Sequence, residues 1–241
     1  MQVVLADVNP DAVAEASQRL AAGSGAETLA VPTDVTSWDE VARLEARSVE
    51  RFGAVHVLCN NAGVQMPGKA WEFTREEWAW LTGVNLGGVV HGIASFVPGM
   101  LERGEPGHVV NTASVGGLLA YPGIAMYTAT KYAVVGLSET LAHDLRAEGA
   151  PVGVSVLCPG ATISSLRQNS AVLRPGGRHG REIPLVVQRE PLPAAGVAGM
   201  VVEAIRENRF WILTHAAYRP LILERAAGIV ETDELVAPPV I

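Results

Sequence analysis

Short apolar runs alternate with amphipathic stretches along almost the whole chain. The runs are 3–6, 28–31, 55–59, 108–113, 152–157 and 210–213, and none of them alternates apolar with polar residues. A strand exposed on one face would alternate; a continuous run marks a strand covered on both faces. The stretches between them (11–22, 37–52, 74–103, 126–147, 194–208) carry apolar residues at helical spacing. This pattern predicts an α/β fold: a doubly wound parallel sheet in a three-layer α/β/α arrangement. Local signals place the helix ends. Asn9 reads as an N-cap before Pro10, Gly23 as a C-terminal stop, and Ser37–Glu40 and Thr74–Glu77 as capping boxes. Gly83, Gly87 and Gly88 weaken the long helical stretch and predict a kink or a close approach there.

At 241 residues, the chain suits one domain. Its net charge of −7 argues against a nucleic-acid partner, which needs a basic face. No apolar run reaches the 18 or so residues of a membrane span, so no membrane partner is expected. The start, M-Q-V-V-L-A-D, carries no basic leader, and a cytoplasmic location is expected. Cys59 and Cys158 each end an apolar run, and both are expected as buried free thiols. The six histidines show no metal-ligand spacing.

In parallel sheets of this kind ligands bind beyond the C-terminal ends of the strands. Asp7, Asp34, Asn60, Ser114 and Pro159 all fall there. Next to them lies the pair Tyr127 and Lys131, four residues apart and so on one helix face. The chain has two lysines against sixteen arginines, so the choice of lysine matters: it is a compact charge with three donors. A cation beside a phenol stabilises phenolate and lowers the tyrosine pKa, which would let Tyr127 exchange a proton near neutral pH. A serine hydroxyl such as that of Ser114 could bond the same substrate oxygen.

Taken in order, Asp7, D-V at 34–35, N-N-A-G at 60–63, Asn85, Ser114, Y-x-x-x-K at 127–131 and P-G at 159–160 make the chain resemble the short-chain dehydrogenase/reductase family. The resemblance implies an oxidoreductase moving a hydride between NAD(P) and a secondary alcohol or ketone. It makes Tyr127 the general acid/base, Lys131 the residue that tunes it and holds the nicotinamide ribose, and Ser114 the group that polarises the carbonyl. Asn85 would hold a water in a proton relay to Lys131. Asp34, Val35, Asn60 and Ala62 would line the adenosine side, and Pro159, Gly160 and Thr162 the nicotinamide. After P-G the sequence reads A-T-I-S where the family favours x-V-x-T. Asp7 can accept from both adenosine ribose hydroxyls and would repel a 2′-phosphate, which favours NAD over NADP. The resemblance also implies a homodimer or homotetramer.

The family's opening strand and glycine-rich turn are not found in this sequence. The expectation is therefore an N-terminally truncated member: a single incomplete Rossmann-like domain over 1–241, lacking the first strand, with a substrate loop at about 161–191. The rival reading is a non-catalytic scaffold of the same fold with impaired cofactor binding; lyase or epimerase chemistry on this fold is a third. Arg174, Arg178, His179, Arg181 and Arg189 read as a solvated lid, or as recognition of an anionic substrate.

Overall fold

Parallel pairing governs the architecture. The computed structural model describes residues 1–177, 190–232 and 235. Strand β1 (Val3–Asp7) pairs with β2 (Thr28–Pro32), Val3 opposite Thr28 and Asp7 opposite Pro32. A second sheet has the order β3–β4–β5–β8, built from β3 (Val57–Asn60), β4 (Gly107–Thr112), β5 (Val152–Cys158) and β8 (Trp211–Leu213). All its pairings are parallel, with Asn60 opposite Asn111 and Val110 opposite Ser155. A short parallel pair, β6 (Thr162–Ile163) with β7 (Leu192–Pro193), closes the base of the expected substrate loop.

The helices are α1 (Pro10–Ser24), α2 (Trp38–Phe52), α3 (Arg75–Thr82), α4 (Gly88–Arg103), α5 (Ala125–Ala147), α6 (Leu166–Leu173), α7 (Ala194–Arg206) and α8 (Arg219–Ala227). Successive strand residues point to opposite faces, and the core divides accordingly. Val109, Val152 and Val154 pack with Val41, Phe96, Val97, Met100 and Leu145 from α2, α4 and α5. Val110 and Leu157 face the other way, against Val197 and Ala204 of α7. The expected three-layer α/β/α arrangement is thus realised around the four-stranded sheet.

Local signals held at most helix ends. Asn9 accepts from the amides of Asp11 and Ala12. Thr74 and Glu77 form a complete capping box. The Ser37–Glu40 box is only half made: the Ser37 hydroxyl accepts from Glu40 N, while the Glu40 carboxylate turns back to the amide of Asp34 at 2.7 Å. Helix α1 runs past Gly23 and ends at Gly25, whose left-handed φ of 67° suits glycine. The expected kink is a π-helical turn, Gly83–Gly87, joining α3 to α4. Gly88 there lies so close to Val35 that a side chain would collide with it.

Two expectations need correction, and a third finds no support. Arg75–Arg103 forms a helical stretch of 29 residues that by length and composition could cross a membrane, although the sequence was read as holding no such run. In this fold its buried side chains, among them Leu81, Val89, Phe96 and Met100, belong to the core. Cys59 is exposed, and only Cys158 is buried; Val57 of the same strand is also exposed, so β3 lacks cover that the apolar pattern had implied. Finally, the chain does start with a strand, β1 from Val3, so a missing first strand finds no support in the order of elements.

Candidate active site

Strand β4 ends at Thr112 and hands over to Ser114, the N-cap of a single 3-10 turn, Val115–Gly117. The Ser114 hydroxyl accepts from Gly116 N at 3.0 Å and lies 3.4 Å from the Pro159 carbonyl. Helix α5 begins at Ala125 and brings Tyr127 and Lys131 onto the side facing this turn. The approach is close: a Cβ on Gly116 would stand 3.4 Å from the Tyr127 ring and 3.5 Å from Ser114 Oγ. Lys131 is buried, 3% exposed. Its ammonium donates to the Thr112 carbonyl at 2.8 Å and lies 5.7 Å from the centre of the Tyr127 ring.

The electrostatics differ from the expectation at one point. Tyr127 was expected to be lowered by Lys131. Burial instead pushes the phenol above its ordinary value, with the hydrogen bond from Ser114 pulling the other way. The lysine itself is lowered to about 8, because its charge has lost water. The site therefore holds a neutral phenol beside an ammonium that gives up its proton readily.

Asn85 sits in the π-helical turn, fully buried. Its side chain accepts from Val64 N at 2.8 Å and donates to Val64 O and to Thr130 Oγ1. These bonds tie the segment after N-N-A-G to α4 and α5. Gly63 lies between the two: a Cβ there would be 3.4 Å from Asn85 Oδ1 and 3.7 Å from Lys131 Nζ.

Of the cofactor candidates, Asp7 is exposed at the end of β1, its carboxylate accepting from Asn9 N at 2.9 Å. Asp34 accepts from the amide and hydroxyl of Thr36. The Val35 carbonyl bonds His91 Nδ1 at 2.8 Å. Asn60 donates to Asn111 Oδ1 at 2.8 Å, and Ala62 is exposed. The Pro159 carbonyl accepts from Val115 N, Gly160 N donates to Thr214 Oγ1, and Thr162 Oγ1 donates to Gly160 O. Ser114, Tyr127, Lys131 and Pro159 thus converge directly. Asp7 and Asp34 lie apart from them, at the ends of the β1–β2 pair. Arg178, His179, Arg181 and Arg189 fall outside the described residues.

A nicotinamide dinucleotide fits part of this surface. Lys131 spends one of its three protons on Thr112, and Asp7 offers a carboxylate at a strand end. Among the described residues no glycine-rich turn opens a helix where a pyrophosphate could be cradled.

Several residues that build the site were not found from the sequence. Asn111 donates to Ser138 Oγ at 3.0 Å, linking β4 to α5, and both are fully buried. An asparagine within H-V-V-N-T was the available signal. Ser170 falls in the expected substrate loop and Arg174 in the expected solvated lid, yet Ser170 is buried and Arg174 forms an ion pair with Glu77.

The family described as short chain dehydrogenase matches residues 1–172. The chain is 31% identical to a CLA biosynthesis dehydrogenase/reductase of Lactiplantibacillus plantarum, over 95% of this chain and 85% of that protein. It is 35% identical to a 1-deoxy-11-beta-hydroxypentalenate dehydrogenase of Streptomyces exfoliatus, over 90% and 75%. Among solved structures, a short chain dehydrogenase/reductase from Burkholderia phymatum in complex with NAD superposes with a TM-score of 0.87 at 41% identity, covering 98% of this chain and 89% of that one. The family match starts at residue 1 and so lends no support to an absent opening unit. With the fold, the clustered serine, tyrosine and lysine, and these likenesses together, the chain belongs to the short-chain dehydrogenase family and is an NAD(P)-dependent oxidoreductase.

Proposed function

We propose that the protein interconverts a secondary alcohol and its ketone, with Tyr127 as general acid/base and NAD preferred over NADP. The observation that carries this reading is the buried Lys131 ammonium 5.7 Å from the Tyr127 ring, with the Ser114 turn packed close against that ring. In oxidation, Tyr127 takes the hydroxyl proton of the substrate while Ser114 holds the same oxygen. Lys131 supports the phenolate that must be present before this step, and the transferred proton neutralises it. The nicotinamide supplies the hydride acceptor. Lys131, Pro159, Gly160 and Thr162 would hold its ribose and ring, and Asp7, Asp34, Val35, Asn60 and Ala62 its adenosine end. The preference for NAD rests on Asp7, which has no arginine beside it in D-V-N to neutralise a 2′-phosphate. Support also comes from the solved relative that was crystallised with NAD.

The phosphate end forms a second part of the proposal. Among the described residues β1 pairs only with β2, and β3 only with β4. Each therefore presents an open parallel edge. A strand between them would join the two sheets, and the turn after it would hold the pyrophosphate. Extension of the reading frame upstream tests this: a strand followed by a glycine-rich turn supports it, and upstream sequence without one ends it. The same open edges support the rival reading, a scaffold with impaired cofactor binding. The expected cytoplasmic location and homo-oligomer stay part of the proposal and need fractionation and light scattering.

One assay separates the readings. A panel of secondary alcohols is offered with NAD or with NADP, and reduced cofactor is followed by absorbance. Turnover that is faster with NAD and lost in Tyr127→Phe supports the proposal. No turnover with either cofactor, from a chain that is folded by circular dichroism, supports the scaffold.

A further inference from the structure

Helix α6 spans eight residues and buries only one of them, Ser170. Val172 and Leu173 on the same helix are exposed. So little apolar contact cannot fix its position, and polar contacts must do so. Two are present. Ser170 Oγ accepts from Gln65 N at 2.9 Å. One residue past the helix, Arg174 clasps a single carboxylate oxygen of Glu77, Nη2 at 2.6 Å and Nε at 3.0 Å.

The Glu77–Arg174 pair is unlike the other ion pairs among the described residues. Its side chains are 5% and 12% exposed, whereas the others lie at the surface. The carboxylate is held in advance, because its second oxygen caps α3 through Thr74 N at 2.9 Å. A buried pair gains little net stability, since desolvation offsets the attraction. What it does supply is a defined geometry, and arginine's fork makes that geometry specific.

The two anchors lead to the reaction centre. Gln65 belongs to the segment that Asn85 grips at Val64. Three residues on, Gly68 N donates to Gly123 O at 2.8 Å, immediately before α5 and Tyr127. At its other end α6 follows Thr162, on the Pro159–Gly160 side of the site. The helix therefore runs from the Pro159–Gly160 side of the site to the 64–68 segment. We propose that Glu77 and Arg174 are positioning residues, holding α6 as a wall of the substrate side. Resting on the oxidoreductase reading above, this adds a determinant of substrate capture 97 residues apart in sequence.

The test uses Glu77→Gln, Arg174→Met, the double variant and Arg174→Lys. Gln at 77 keeps an oxygen for the Thr74 amide and replaces the charged oxygen that accepts from Arg174 with an amide donor. Hydrogen exchange at 166–173 is followed with no substrate present. Each single variant is expected to speed exchange there by about tenfold or more, and the double variant by little beyond either. On whichever alcohol the unaltered protein oxidises, KM is expected to rise about tenfold with kcat within about twofold, and Arg174→Lys to recover only part. Each single variant strands a largely buried partner and should lower the melting temperature, the double variant by less. Unchanged exchange in α6, or a fall in melting temperature without a change in KM, overturns the proposal. If the unaltered protein oxidises no alcohol, the oxidoreductase reading fails by itself, and exchange in α6 still decides whether the pair positions the helix.

Discussion

Lys131 points its ammonium at the Thr112 carbonyl, 2.8 Å away, while lying 5.7 Å from the centre of the Tyr127 ring. The charge is thus held by backbone, at a fixed distance from the phenol, in a place from which water is excluded. Such an arrangement favours the reaction at a cost to the fold, because a desolvated charge is kept where, among the described residues, one hydrogen bond compensates it.

That cost can be measured. The lysine's pKa falls from 10.5 to about 8 in the folded protein. Between those values the unfolded chain holds the proton and the folded one does not, so stability rises with pH through this window. Below pH 8 both states are protonated and the full penalty remains, about 3 kcal/mol from the difference in pKa. Lys131→Met removes the charge but strands the Thr112 carbonyl, which costs about 1–3 kcal/mol in return. Urea unfolding without added cofactor should therefore show Lys131→Met equal to or more stable than the parent at pH 7. Its relative stability should decline as pH rises from 8 to 10. A constant gap across that range would mean that the lysine charge is not penalised.

Tyr127 is pushed above the ordinary phenol value by burial. Alcohol oxidation needs the phenol deprotonated, so kcat/KM for oxidation should climb with pH from 6 upward. The climb should weaken above about 8, where Lys131 loses the charge that supports phenolate. Ketone reduction uses the protonated phenol and should not show the climb. Tyr127→Phe should lower kcat by about 10²–10⁴ with little change in melting temperature. A Tyr127→Phe enzyme of near-normal rate, or an oxidation rate flat from pH 6 to 8, would remove Tyr127 from the proton transfer.

The features legible in the sequence were those written locally. Apolar runs of strand length, the Asn9 cap, the Thr74–Glu77 box and the four-residue spacing of Tyr127 and Lys131 each depend on neighbours within one element. The features not legible depend on partners far away in the chain. Arg174 reads as a loop cation until α3 brings Glu77 to it. The Glu40 carboxylate completes a capping box on paper but finds the Asp34 amide instead. That Asn85 ties down Val64 at both ends of its amide could not be read from its place in V-N-L-G-G. The direction of the Tyr127 shift was likewise out of reach, because it turns on burial, which spacing does not encode.

Asn60, Asn111 and Ser138 form a polar line through the sheet into α5. Ser138 passes its own proton to the Val134 carbonyl at 2.7 Å. Ser138→Ala leaves the Asn111 amide without its acceptor in a place closed to water, and should cost about 1–3 kcal/mol. The loss should appear as a lower urea midpoint with an unchanged slope. Because Ser138 lies two turns from Lys131 on α5, kcat should fall with it. An unchanged midpoint would show that the line carries no stability.

Gly117 sets how near α5 comes to the Ser114 turn. A Cβ at this position would stand 2.5 Å from the Lys131 carbonyl oxygen, 2.8 Å from its carbon and 3.1 Å from Val135 Cγ2. Two of these atoms are backbone, which cannot move aside as a side chain can. Gly117→Ala must therefore push α5 away from the turn, costing about 1–3 kcal/mol and separating Tyr127 and Lys131 from Ser114. Gly136, five residues beyond Lys131 on the same helix, has nothing within 4 Å of its Cβ position. There alanine only improves helix propensity, and Gly136→Ala should stabilise by about 0.5–1 kcal/mol with activity unchanged. The pair of variants separates helix stability from helix placement: Gly117→Ala should lose kcat well beyond what its lower melting temperature explains, and Gly136→Ala should lose none. Equal activity in the two at a temperature where both are folded would show that the spacing between turn and helix does not govern the chemistry.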